Sequence, residues 1–246
     1  MSDVVICSEQ ESWAELRINR EDKRNAVNRE SRRALLEAFA ALRGKAKAIV
    51  VTGTGVAFCA GMDLKELEQD RAQGIEGAAQ EWIEVNLAIR AHPAIFIAAV
   101  NGLALGGGAT LINVCDLAVA STKASIGCPE MGFATYPAMA GPAIQLSGLT
   151  RKRAAALILT TDRIDGQTAL QWGMVNECVE PERLLPRTHA LAQQISRFDA
   201  AALEESKRAL DRIPAFINNW REAMNHGQMV NQMILSPTNM NPVWLA

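Results

Sequence analysis

From Ala94 to Cys115 the chain carries no ionisable side chain other than a thiol, and few structures can accommodate such a stretch. It is long enough to imitate a membrane-spanning helix. Asn101, Asn113 and four glycines, Gly102 and Gly106 to Gly108, interrupt it with polar and backbone groups that lipid could not satisfy. A buried strand, a turn and a buried helix satisfy those groups instead. The strand ends at Val100-Asn101-Gly102, and the glycine triplet follows where the helix begins. A turn without side chains lets main-chain N–H groups approach an oxygen closely, and a helix starting there adds the positive end of its dipole. Such a turn suits an oxyanion or an enolate. The one carboxylate offered by the loop beyond is Glu130, between Pro129 and Met131.

Strand-like segments alternate with helical ones over the first three quarters of the chain. The strands are expected at Val4 to Cys7, Trp13 to Ile18, Ala48 to Thr52, Ile95 to Val100, Leu117 to Ala120 and Val175 to Val179. Asn28 suits the N-cap of a helix from Arg29 to Leu42, with Leu35, Leu36, Phe39 and Leu42 on its apolar face and Arg29, Arg32, Arg33, Glu37 and Arg43 toward water. Thr150 is expected to cap Arg151 to Leu159, and Pro181 or Glu182 to open a helix reaching Ile195. From Asp199 onward the pattern is helical only, broken at Pro214 and Pro237. The fold class is therefore α/β, with repeated β-β-α units and a helical C-terminal segment. We divide it at residues 1–196 and 197–246.

A formal charge of −2 leaves no basic footprint for nucleic acid or an anionic membrane, so small molecules and further copies of the chain are the expected partners. Five cysteines show neither metal spacing nor a small-domain disulfide pattern, which suggests free thiols in a reducing compartment and no metal. Met1-Ser2-Asp3 leads directly into strand-like Val4-Val5-Ile6, without a secretory apolar region or an Arg-rich transit segment, and a cytoplasmic location is expected. No Gly-x-Ser-x-Gly elbow, dinucleotide fingerprint or P-loop is present.

Asn101-Gly102-Leu103-Ala104-Leu105-Gly106-Gly107-Gly108 resembles the crotonase, or enoyl-CoA hydratase/isomerase, superfamily. Further blocks match in order: Asn19 to Asn28, Val51-Thr52-Gly53, Phe58 to Leu67, Cys115-Asp116-Leu117, Leu159-Thr160-Thr161 and Trp172 to Asn176. Any one string is weak, but the ordered set is specific. The resemblance implies a crotonase fold whose C-terminal helices build trimers or dimers of trimers, and an acyl-CoA substrate from fatty-acid metabolism without a further cofactor. It also implies that the amides of Met62 and Gly107 form an oxyanion hole. Coenzyme A would be held along Arg24, Ala26, Ala60, Met62, Asp63, Leu64, Lys65 and Gly107. Glu130 stands at the same separation after Thr110 as the second catalytic glutamate after the first in resembling hydratases. It is thereby a candidate catalytic residue.

The departures narrow the chemistry. Thr110 replaces the first hydratase glutamate, and a hydroxyl cannot ionise near neutral pH. It either orients a water or substrate oxygen or only packs against its helix. Ala138 stands where dienoyl-CoA isomerases and aryl-CoA dehalogenases of the family carry an aspartate. Met62, Met131 and Met139 are candidates to line an apolar pocket. Hydration divides water activation and proton delivery between two glutamates in resembling enzymes, whereas a shift of a double bond from C3 to C2 needs one base. An enoyl-CoA isomerase is thus the favoured reading. A hydratase, or a hydroxycinnamoyl-CoA hydratase-lyase with a single glutamate, is the alternative, and a non-catalytic acyl-CoA- or RNA-binding relative is the third.

Overall fold

The computed structural model describes residues 3–235. Antiparallel strands β1 (Val5–Glu9) and β2 (Trp13–Ile18) lead through a short 3-10 turn at Glu21–Lys23 into helix α1 (Arg29–Leu42). A unit of two strands and helix then recurs. Strands β3 (Ala48–Gly53) and β4 (Ala57–Cys59) precede α2 (Leu64–Ala72) and α3 (Ala78–Ala91). Strands β5 (Ile95–Val100) and β6 (Leu103–Leu105) precede α4 (Gly107–Val114). Strands β7 (Leu117–Ser121) and β8 (Ser125–Gly127) precede a 3-10 turn at Pro129–Phe133, then α5 (Ala140–Leu146) and α6 (Arg151–Leu159). The chain continues through β9 (Ile164–Asp165), α7 (Gly166–Trp172), β10 (Glu177–Val179), α8 (Pro181–Ile195), α9 (Ala200–Phe216) and α10 (Trp220–Ile234).

Strands β1 and β2 and the first strand of each later unit, with β10, form a six-stranded sheet in the order β1-β2-β3-β5-β7-β10, parallel except for β1. The second strand of each later unit, with β9, forms a smaller sheet in the order β4-β6-β8-β9. Because β4, β6 and β8 are parallel neighbours, the loops leaving their carboxyl ends are neighbours too. Those loops carry Met62, Gly107 and Glu130. Sites of α/β proteins gather at that end of a parallel sheet.

Strand β3 is buried at every residue, which is why Ala48-Ile49-Val50-Val51 reads as a continuous apolar run. Its odd side, with Ile49 and Val51, joins the main core with Leu35, Phe39, Trp82, Ile89 and Phe96. Ala48 and Val50 turn instead toward Leu184 and Ala192 of α8. Asn28 caps α1 as expected, its Oδ1 accepting from the Ser31 N–H at 2.9 Å. Thr150 occupies the cap of α6 without making a side-chain bond there. The last core strand begins at Glu177 rather than Val175, because the Asn176 side chain takes the Ala118 N–H at 2.8 Å in place of a ladder bond.

Two further expectations are corrected. Arg32 does not face water: its side chain is fully buried, with Nη1 donating to Glu66 at 2.9 Å and Nε to Glu81 at 2.8 Å. Helical spacing assigns a charged residue to solvent unless a partner from another element is known. Pro214 does not break the pattern either, since α9 runs through it to Phe216; so near the helix end, the lost N–H costs only one bond. Pro237 lies outside the described residues. The C-terminal helices are moored by Lys207 of α9, which donates to the carbonyls of Ile89 and Ala94 and pairs with Asp116 at 2.9 Å. Burial lowers the Lys207 pKa, while Asp116 opposes that shift.

Candidate active site

Strand β6 ends at Leu105, and the Gly106 N–H donates to the Gly127 carbonyl of the neighbouring strand at 3.0 Å. Gly106 then adopts φ +50°, ψ −106°, and Gly107 is the first residue of α4. The first N–H groups of a helix have no intrahelical acceptor, so the Gly107 amide is open. Gly108 presses on the turn after β4 so closely that a Cβ there would meet the Cys59 carbonyl oxygen at 2.0 Å. Only glycine permits this approach.

The β4 turn is aligned from its other side by Val27. The Val27 N–H donates to the Gly61 carbonyl at 2.7 Å, and its carbonyl accepts from Asp63 at 3.0 Å. In this parallel bridge the partners flank Met62, whose own N–H is left pointing away from Val27. Among the described residues, neither the Met62 nor the Gly107 amide has an acceptor. Both residues are partly exposed, and their turns touch through Gly61. The fold therefore brings together two unspent backbone donors from separate loops.

Glu130 sits in the turn after β8 and reaches back over Gly106. A Cβ on Gly106 would lie 2.6 Å from Glu130 Oε1. Oε2 is buried without a hydrogen-bond partner among the described residues. Burial pushes the Glu130 carboxyl above its ordinary range, only partly offset by a backbone hydrogen bond. Such a carboxyl is suited to exchange protons near neutral pH. Thr110 is 2 % exposed, and its hydroxyl donates to the Gly106 carbonyl at 3.2 Å. Its proton is committed to its own helix, but its lone pairs are not.

The loop expected to hold coenzyme A is built on strain. Arg24 and Asn25 take left-handed backbone angles in succession, φ 50° and 57°. They are held there because the buried Asn25 side chain donates to the carbonyls of Thr54 and Ala57 and accepts from the Arg20 N–H. The Arg24 carbonyl in turn accepts from Ala60 at 3.0 Å. Arg20 bridges the Ala26 carbonyl and Asp63. Asp63 also caps α2 through the Lys65 and Glu66 amides. Burial would raise the Asp63 carboxyl, but Arg20 and those amides outweigh it and hold it below its ordinary range. Its carboxylate is thereby spent on the loop. Leu64 and Lys65 are exposed, and neither Lys65 nor Arg24 forms an ion pair among the described residues. Both cations remain open to a phosphate.

Met62 and Met139 pack partly buried against the core near this site, whereas Met131 is 42 % exposed on its turn. Sequence reasoning missed Arg20, Asn25 and Trp82. Arg20 and Asn25 lie within the motif Asn19 to Asn28, but their work depends on Thr54 between β3 and β4, Ala57 of β4 and Asp63 at the cap of α2, which no spacing discloses. Of the histidines, His92 is buried in the core with its pKa lowered to about 4 by burial, and His189 meets Glu15 at 2.6 Å beneath α8. Neither approaches the glycine turn through any bond in the structure. Among the described residues no His, Cys, Asp and Glu side chains cluster so as to hold a metal ion, and no helix is long and apolar enough to cross a membrane.

Comparison with known proteins bears on the family and the fold. The enoyl-CoA hydratase/isomerase family model matches residues 8–235. The crotonyl-CoA hydratase of Syntrophomonas wolfei is 32% identical over 212 residues, spanning 83% of this chain and 80% of that protein. The 2,3-dehydroadipyl-CoA hydratase of Escherichia coli is 33% identical over 214 residues, spanning 85% and 82% respectively. Among solved structures, an enoyl-CoA hydratase from Mycobacterium smegmatis superposes with a TM-score of 0.86 at 26% identity, covering 97% of this chain and 93% of that one.

Proposed function

The chain belongs to the enoyl-CoA hydratase/isomerase family, and from that premise we propose that it shifts the double bond of a 3-enoyl-CoA to the 2-position with Glu130 as its single acid–base residue. The observation that carries this reading is the buried, half-unpaired carboxyl of Glu130 beside a glycine turn whose facing threonine has already spent its proton. In the first step Glu130 takes the proton from C2 of the thioester. The C2–H electron pair moves into the C1–C2 bond, and the carbonyl oxygen becomes an enolate oxygen held by the Met62 and Gly107 amides. In the second, the C3–C4 π pair takes the proton from Glu130 to form the new C4–H bond, the C1–C2 pair of the enolate becomes the C2–C3 double bond, and the thioester carbonyl reforms. No other proton source is required.

Magnitudes are consistent with this division of labour. An oxyanion donor contributes on the order of 10²–10³-fold in rate, and a positioned acid–base group roughly 10²–10⁴-fold. Arg24 and Lys65 are assigned to the coenzyme A phosphates, with the backbone of Ala26, Ala60, Asp63 and Leu64 lining the same path. Thr110 acts by fixing the Gly106 carbonyl, and so the turn on which Glu130 rests. Glu130→Gln tests the reading: isomerisation should fall at least about 10²-fold while acyl-CoA binding is kept. Unchanged turnover would remove Glu130 from the chemistry.

Hydration is the second reading, favoured by the names of the relatives in S. wolfei and E. coli and by the free lone pairs of Thr110, which can accept a hydrogen bond from a water. A hydratase-lyase reaction on a hydroxycinnamoyl-CoA belongs to the same class. We also propose assembly into trimers or dimers of trimers. Support comes from Phe216 and Trp220, which are 81% and 82% exposed, with Met224, Met229 and Met233 exposed beside them. Val243 and Trp244 lie outside the described residues. A monomeric mass by light scattering at micromolar concentration would refute the assembly.

A further inference from the structure

Trp82 is the largest fully buried side chain of the structure, and its indole N–H is buried without an acceptor among the described residues. Its position is not arbitrary. A Cβ on Gly107 would stand 3.1 Å from Trp82 Nε1 and 3.4 Å from Cε2, and 3.2 Å from the Cα of Gly61. The polar edge of the indole therefore packs beside Gly107, the same residue against which the turn before Met62 packs through Gly61. Phenylalanine would fill most of the same volume without a donor. A buried donor left unpaired lowers the stability of the fold. A tryptophan at this point is explained if the N–H finds its partner only when a ligand arrives.

We propose that the Trp82 indole N–H is a third donor of the oxyanion hole, unpaired in the free protein and directed to the thioester oxygen that the Gly107 and Met62 amides hold. The inference rests on the acyl-CoA reading of the site but is indifferent to isomerisation or hydration, since both pass through the same enolate. The fold holds one competing group: Asn86, one turn along α3, has an Oδ1 unpaired among the described residues while its Nδ2 donates to the Trp82 carbonyl at 2.7 Å. A fixed water between Asn86 and the indole would make the N–H structural, and the two roles move different observables.

The test uses Trp82→Phe and acetoacetyl-CoA, whose enolate is visible by absorbance when an oxyanion hole stabilises it. A ligand-directed donor predicts that Trp82→Phe lowers the fraction of acetoacetyl-CoA bound as enolate at least about 10-fold, whatever the melting temperature does as the smaller ring leaves space in the core. Turnover of an unsubstituted enoyl-CoA should fall mainly in kcat, with KM little moved. Lower melting temperature with unchanged enolate binding would assign the N–H to the fold and overturn the proposal. So would a loss confined to acyl chains bearing a second oxygen. A wild-type protein that binds no acetoacetyl-CoA would overturn the acyl-CoA reading, and this inference with it. Should the variant not fold, the wild type still decides. The chain has five tryptophans, so the Trp82 indole resonance can be assigned in ¹⁵N-tryptophan protein by replacing the other four in turn. It should move downfield on adding acetoacetyl-CoA, and a stationary resonance would overturn the proposal.

Discussion

Glu130 occupies the space that a side chain on Gly106 would need: a Cβ there would stand 2.6 Å from Oε1. The chain leaving β6 can thus turn into α4 only around a carboxyl supplied by the next unit. Gly106→Ala should displace that carboxyl and also strain a backbone at φ +50°. A displacement on the order of 1 Å can cost about 10²-fold in rate. We expect a loss of that size in kcat/KM, with lower thermal stability. Retention of full activity would mean that the position of Glu130 is not what the reaction needs.

The raised pKa of Glu130 has two consequences of opposite kind. Its ionised form is the base, so the acidic limb of kcat/KM against pH should lie above the ordinary carboxylate range. For stability the sign is reversed. The folded state holds the proton more tightly than the unfolded, so the contribution is fully present below the unfolded pKa and is lost as pH rises through the folded one. Glu130→Gln removes that loss. The melting temperature of the variant relative to wild type should therefore be higher at pH 8 than at pH 4, and an equal difference at both would argue against burial as the cause.

Proline at Met62 deletes an N–H that has no acceptor among the described residues, so the fold loses no hydrogen bond there. In folded protein, Met62→Pro should lower turnover by roughly 10²-fold or more, and Met62→Ala should do far less. Equal effects of the two would show that the side chain rather than the amide matters.

Arg32 ties α1 to Glu66 of α2 and Glu81 of α3 from a fully buried position. Removing one partner of a buried ionic cluster leaves the others uncompensated, at a cost of about 3–5 kcal/mol. Denaturant unfolding of Arg32→Ala should show a loss of that order. A change under about 1 kcal/mol would place the cluster among surface pairs.

What the sequence disclosed follows from the range of the forces involved. Strands β1, β2, β3, β5 and β7 and helix α1 were legible because each runs for five residues or more, and the glycine turn because close backbone approach admits no other residue. The small sheet was not legible. Strands β4, β6 and β8 have three residues each, too few for a period, yet their pairing is what sets Met62, Gly107 and Glu130 side by side. Arg32 was misjudged for the same reason as Trp82 was overlooked: the burial of each is decided by elements distant in the chain. The spent hydroxyl of Thr110 could not be read either, since its acceptor, Gly106, is revealed only once α4 is formed.

A lone carboxyl, Glu130, is proposed to move one proton along an acyl chain. Wild-type protein offered 3-hexenoyl-CoA and 2-hexenoyl-CoA separately, with double-bond migration and water addition followed by product analysis, measures this most directly. We predict that isomerisation of the 3-enoyl thioester exceeds hydration of the 2-enoyl thioester in kcat/KM. Hydration faster than isomerisation would contradict the account, and would make Thr110 a partner of Glu130 in holding the attacking water.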